Sequence, residues 1–173
     1  MNLPGDDAAN LLGALALHVG ERMREAVVAP AGAGGALAEA LVVLKDQPGV
    51  TAEWLGQVLR LSQPGTAHLV RRLVGLGWVD RRPGADARSR ALHLTPAGTR
   101  AAGQILHARQ QALAQVLRHL SDRQRAHLAD IARTVLRAEV DDDKALARLC
   151  RLCDRRRCDE CPVHAGYLDH SRP

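Results

Sequence analysis

Apolar residues return at helical spacing through most of this chain. In residues 6–28, Leu11, Leu15, Val19 and Met23 recur every fourth position on one face, and Asp6 is placed to cap them. The Pro-Ala-Gly stretch 30–35 interrupts the pattern. Residues 36–46 then form a short helix ended by Gln47-Pro48-Gly49. Thr51 caps a third helix, with Glu53 favouring its N-terminus and Leu55, Val58 and Leu59 as its buried stripe. Ser62 caps a fourth, with Pro64 in the first turn, where a missing N–H costs little. Thr66, Leu69, Val70 and Leu73 carry it to Gly75 or Gly77. The period then shortens to two: residues 78–82 and 88–94 read as hairpin strands around a tip at 83–87, with Leu92 and Leu94 on one face and His93 on the other. Helical spacing resumes over 96–120, opened by Thr95-Pro96, and again from the Ser121-Asp122 cap to about residue 140. After the acids at 141–143, residues 144–149 give one or two helical turns that lead into a cysteine-rich segment.

Composition narrows this outline. The chain has 173 residues, of which 46% are hydrophobic, yet it contains no Phe, one Tyr and two Trp. Its core must therefore be aliphatic, which suits helices. The apolar run 11–19 is too short to span a bilayer and lacks the basic start of a signal peptide, so a cytoplasmic protein without a membrane partner is expected. The formal charge of +5 is confined to one window. Between Arg60 and Arg90, seven arginines face the two acids Asp80 and Asp86, and the rest of the chain sums to zero. A cationic patch so local is what phosphate binding requires. Scarce aromatics argue against RNA, whose single-stranded bases are held by stacking. No nucleophile, base and orienter pattern or phosphate loop is present, and His18, His107, His119 and His127 fall at scattered helical phases. An enzyme is not expected.

The order helix, tight turn, helix, two-stranded hairpin describes a winged helix-turn-helix. The expected fold class is mainly α with a small β-hairpin wing, flanked by long dimerisation helices. The second helix of such a motif enters a major groove, which admits one helix. Ser62, Gln63, Gly65 and Thr66 keep its first turn small and polar, so backbone N–H groups can approach phosphate. Gln63, Thr66 and His68 are short enough to probe base edges, and Arg71 and Arg72, a turn later, can reach phosphates. Arg82 and Arg90 charge the hairpin, and Arg88 at its tip is placed for a minor groove or flanking backbone.

The stretch resembles the MarR family of bacterial transcriptional regulators. The resemblance rests on Leu61-Ser62, Thr66, Val70-Arg71-Arg72-Leu73, Gly77-Trp78-Val79-Asp80-Arg81, Asp86-Ala87-Arg88, and Leu92-His93-Leu94-Thr95-Pro96-Ala97-Gly98. With the flanking helices it extends over roughly residues 8–140. It implies that 62–72 enter the major groove, that Asp86 braces the wing, and that Arg88 reaches the minor groove. One departure is Trp54-Leu55-Gly56, where the family usually shows a Leu-Ala pair; Gly56 lowers helix propensity there. The resemblance also implies an obligate two-fold dimer, a regulator of transcription acting as a repressor, and a small-molecule effector whose pocket the few aromatics do not mark.

The chain then divides into an N-terminal dimerisation helix (6–35), a winged DNA-binding lobe (36–95), C-terminal dimerisation helices (96–140) and a cysteine-rich tail (144–173). Ile105, Leu113, Val116, Leu117, Leu120, Leu128, Ile131, Val135 and Leu136 exceed what one small domain can cover, which fits a homodimer on a pseudo-palindromic duplex. In the tail, Cys150-x2-Cys153-x4-Cys158-x2-Cys161 supplies the four thiolates of a tetrahedral zinc site, and Arg151, Arg155, Arg156 and Arg157 would favour ionised thiols. Four residues between the pairs is tight for a zinc ribbon, which leaves His164 open as a substitute ligand. Cys153-x4-Cys158-x2-Cys161 also has the local spacing of a plant-type iron–sulfur site. Metal-free redox thiols are the third reading. The metal is read as structural; the alternative is a metal- or redox-responsive sensor whose cysteine cluster, zinc or iron–sulfur, controls DNA binding.

Overall fold

A computed structural model describes residues 6–32, 35–84, 89–140, 142–158 and 160–170. Helix α1 spans Asp6–Ala31, so it continues through Pro30 instead of stopping at residue 28. Helix α2 spans Ala36–Asp46 and is buried on almost every side, from Leu37 and Ala38 to Leu44. Helix α3 (Ala52–Leu59) starts where expected: the Thr51 hydroxyl accepts the Trp54 N–H at 3.2 Å. Helix α4 (Gln63–Gly75) starts on Ser62, whose hydroxyl accepts the Gly65 N–H at 3.3 Å. Arg60 makes the turn between them with φ 53°, in the left-handed region that helix ends commonly visit.

Strands β1 (Val79–Pro83) and β2 (Arg90–Leu94) pair antiparallel, with Val79 opposite Leu94 and Arg82 opposite Ala91. The hairpin is strapped on its other edge. Gly49 N–H donates to Leu92 O, Leu92 N–H donates to Val50 O, both at 2.9 Å, and Thr51 bridges Ala91. Gly77, at φ +68°, ends α4, and Thr95 locks the corner. Its hydroxyl donates to Gly77 O at 2.7 Å, and its N–H donates to Trp78 O at 3.0 Å. Gly98 lies against the Trp78 carbonyl, where any side chain would collide. The separated Gly-Trp and Leu-Thr-Pro-Ala-Gly segments are thus one joint.

Helix α5 (Pro96–Leu117) runs along α1 and against α2, and α6 spans Asp122–Ala138. The main core joins Leu41, Leu44, Leu55, Val58, Val70, Leu73, Val79 and Leu92 to Ala102 and Ile105 of α5. Ile105, read from the sequence as a dimer residue, is fully buried inside the subunit, because α5 passes over α2.

The tail is folded. Asp142 caps α7 (Asp143–Leu149) by accepting the Ala145 N–H at 2.6 Å, so part of the acidic interruption is a helix start. A turn of 3-10 helix at Arg155–Arg157 follows, then α8 (Pro162–His170), which the sequence reading did not foresee. α8 lies on α6 with Gly166 against the Arg137 carbonyl, and Arg137 ion-pairs with Asp169. Val140, Leu146, Cys150 and Val163 form a second, small core.

Candidate nucleic-acid interface and cysteine pocket

Helix α4 divides its residues cleanly. Thr66, Leu69, Val70 and Leu73 are buried; Gln63, Pro64, Ala67, His68, Arg71 and Arg72 face solvent. Ser62 is also exposed and Gly65 is half-exposed, so the first turn is open to a ligand. Thr66 does not belong with the base-probing residues. It is 6% exposed and its hydroxyl donates to Ser62 O at 3.0 Å. It packs on Gly56 of α3, where an added Cβ would strike the Thr66 side chain. Gly56 is thus the position that lets the two helices close, and the cost in helix propensity is offset by that approach.

The outward face gains two residues not among the sequence-predicted contacts. Pro64 and Ala67 lie among Gln63, His68 and Arg71, and an Ala methyl is a suitable contact for a thymine methyl. Their signal was helical phase, since both are out of step with Thr66, Leu69 and Val70. On the hairpin, Arg81, Arg82 and Arg90 are exposed, and Arg82 lies 3.9 Å from Asp80. The wing tip, with Asp86 and Arg88, lies outside the described residues. Opposite charges on the patch are few, so its cations remain available to phosphate.

The four cysteines come together. Cys150, Cys153, Cys158 and Cys161 line one cavity of about 380 Å³ with Leu136, Leu146, Arg155 and His164. Cys150 ends α7 and is buried; its carbonyl accepts the Cys153 N–H at 2.8 Å, closing a tight Cys-x-x-Cys turn. The two thiols share a hydrogen bond, which pulls Cys153 down to about 6; the Arg109 and Arg155 guanidiniums help and burial opposes. The same hydrogen bond, then burial, pushes Cys150 up. Among the described residues, no three His, Cys, Asp or Glu side chains converge as a group able to hold a metal ion. The arrangement is one close thiol pair with two further cysteines on the same cavity wall.

The arginines beside these cysteines are less uniform than their spacing suggested. Arg156 and Arg157 turn to Asp154, at 2.9 and 3.5 Å, and the Arg156 guanidinium holds its carboxyl below the usual carboxylate range. Arg151 pairs with Glu39 of α2 at 3.1 Å. Arg155 lines the cavity and also reaches Asp46, the last residue of α2, at 3.4 Å. Burial raises the Asp46 carboxyl, against the pull of Arg155. A cation from elsewhere completes the set: Arg109 of α5 stabilises the Cys153 thiolate, and its buried Nε has no hydrogen-bond partner among the described residues. Nothing in the local sequence of the tail pointed to Arg109, because it approaches from another helix.

No helix among the described residues is long and apolar enough to cross a membrane. A family model described as MarR family matches residues 38–89. No curated protein matches the chain. Among solved structures, the chain is similar to YusO protein from Bacillus subtilis, at 21% identity and TM-score 0.64, covering 76% of this chain and 94% of that one. It is similar to RV1404 from Mycobacterium tuberculosis at 18% identity and TM-score 0.68, covering 80% and 95%. The reduced form of MarR from E. coli aligns at 23% identity and TM-score 0.64, covering 79% and 98%. Those chains are thus covered almost end to end, while about a fifth of this one lies outside each alignment. The winged helix-turn-helix lobe thus matches the MarR family model over residues 38–89, and the chain shares the fold of these solved structures.

Proposed function

We propose that this protein is a homodimeric, sequence-specific double-stranded DNA-binding regulator, acting as a repressor on a pseudo-palindromic operator. One observation carries the reading. Helix α4 buries one face in the core and leaves Gln63, Ala67, His68, Arg71 and Arg72 exposed, beside Arg82 and Arg90 of the wing. That juxtaposition of small polar groups and guanidiniums suits a major groove flanked by phosphates. Labelled duplex from upstream of the protein's own gene tests it. Binding should fall steeply with salt, since several phosphates are neutralised per half-site; a flat salt response removes the reading.

The dimer is supported by surface. One chain exposes 11268 Å², against about 8,200 Å² for a compact monomer of 18.6 kDa. Leu11, Leu12 and Leu17 of α1 and Ile131 and Val135 of α6 are all more than half exposed. These two helices are those that the family resemblance assigns to pairing. Sedimentation at micromolar concentration checks it, and a monomer there would end the two-fold account.

For the tail we infer a structural zinc ion held by Cys150, Cys153, Cys158 and Cys161. Support comes from the cavity they share and from the Arg109 and Arg155 guanidiniums, which favour the Cys153 thiolate. Cys158 and Cys161 would have to be drawn onto the Cys150–Cys153 pair, with His164 available on the same cavity. The alternative is a metal- or redox-responsive sensor in which the same cysteines, holding zinc or an iron–sulfur cluster or acting as a thiol pair, control DNA binding. The tight Cys150–Cys153 turn, closed by the Cys153 N–H to the Cys150 carbonyl at 2.8 Å, favours it. Metal analysis of protein purified without oxygen separates them: one zinc per chain, against iron with sulfide, against neither.

A further inference from the structure

The tail does not hang from the end of α6. It is bolted to the winged lobe at three polar points: Arg151 to Glu39, Arg155 to Asp46, and the Trp54 indole N–H to the Asp143 carboxylate at 3.2 Å. Ala147 and Leu152 join the main core beside these links. Two of the three contacts end on α2 and one on α3, the elements that carry the recognition helix.

Arg155 stands apart because it belongs to two sites. It lines the cavity with all four cysteines, and among the described residues it makes the ion pair that Asp46 has. The Asp46 side chain is 17% exposed, so water solvates it poorly. Lys45 and Arg156 are within electrostatic reach of it, but Arg156 is committed to Asp154. Asp46 also sits at a sensitive place. It is the last residue of α2, and the next five residues make the turn that hydrogen-bonds to Leu92, bridges Ala91 and caps α3 with Thr51. A change at Asp46 is therefore felt by the wing strand and the helix-turn-helix together.

We propose that Arg155 is a shared cation through which occupancy of the cysteine pocket by a thiophilic divalent ion weakens DNA binding. The proposal rests on the metal reading of the tail. Four thiolates drawn around one divalent ion would leave the pocket net negative, and the guanidinium that lines it, Arg155, is the one already paired with Asp46. Two anionic sites then compete for one cation. Gathering Cys158 onto the pair also displaces the turn at Arg155–Arg157, which immediately precedes it. Both effects act in one direction: they loosen the Arg155–Asp46 pair and with it the 46–51 turn. Beyond bracing the tail, occupancy thereby sets how well wing and recognition helix are held for the duplex.

The full-length chain is stripped of metal, then loaded with Zn²⁺ alone, and its affinity for the upstream duplex is read by fluorescence anisotropy alongside zinc content by mass spectrometry. In the wild type, loading to one zinc per chain should weaken binding at least about fivefold, the lower end of ordinary allosteric coupling. In Asp46→Asn, which removes the competing anion, zinc uptake should persist while the change shrinks below about twofold. Arg155→Gln should behave the same way and serves if the first variant folds poorly. Zinc bound with an unchanged wild-type affinity overturns the coupling and leaves the metal site standing. A variant as responsive as wild type does the same. A wild-type chain that takes up no zinc overturns the metal reading and the coupling with it.

Discussion

Helices α4 and α6 begin alike and finish differently. Each starts on a serine cap, Ser62 or Ser121, and each alternates arginines with aliphatic residues at helical spacing. Helix α4 buries Thr66, Leu69, Val70 and Leu73, whereas α6 buries none of its residues and leaves Ile131 at 63% and Val135 at 54% exposure. The local pattern is the same; the difference lies in what the chain supplies opposite. Against α4 it supplies α2, α3 and β1. Against α6 it supplies the short α8, and Ile131 and Val135 stay exposed. An amphipathic pattern therefore announces that a helix needs a partner, without saying whether the partner is in the same chain.

The comparison can be broken first at its buried end. Leu73→Ala removes a fully buried side chain of α4 and should cost about 2–5 kcal/mol in a thermal or urea melt, while Ile131→Ala in α6 should leave subunit folding nearly untouched. Equal losses would mean the two helices are not different in kind. Next is Gly56→Ala, which should cost about 1–3 kcal/mol because the new methyl meets Thr66, with partial recovery when Thr66→Ala is added. Full tolerance would show that α3 and α4 can part without harm. Ile131→Glu then tests the exposed end: the folded subunit persists, sedimentation shifts to the monomer, and affinity for a two-half-site duplex drops by about tenfold or more, an effect near 1.4 kcal/mol. The smallest change is Arg71→Ala, a several-fold loss that is similar for all sequences and lowers the salt slope by about one. A sequence-dependent loss would move Arg71 from phosphate to base.

The fold was largely legible because its boundaries are chemical. Thr51, Ser62, Thr95 and Ser121 each cap the helix that follows, and the hairpin period of two is interrupted at Pro83-Gly84. What could not be read depends on approach distances between segments far apart in sequence. Thr66 has the chemistry of a base reader, and Gly56, ten residues earlier, turns it inward. Ile105 shares its helix face with dimer candidates, yet α2 covers it. The cysteine spacing announced a site but not that Arg109 of α5 would serve it, nor that Arg156 and Arg157 would turn away to Asp154. Helix α8 carries almost no amphipathic pattern of its own, and Gly166 against Arg137 is intelligible only once α6 lies beside it.

The strap across the outer edge of the hairpin has a practical corollary. With Gly49, Val50 and Thr51 bonded to Ala91 and Leu92, the β-ribbon cannot swing independently of the helix pair whose first residue Thr51 caps. A paramagnetic label placed on the outward side of β1, at Arg81 for example, would then serve as a ruler. In a two-fold assembly, the label-to-label separation would track the gap between the paired readers of the duplex, with or without DNA bound.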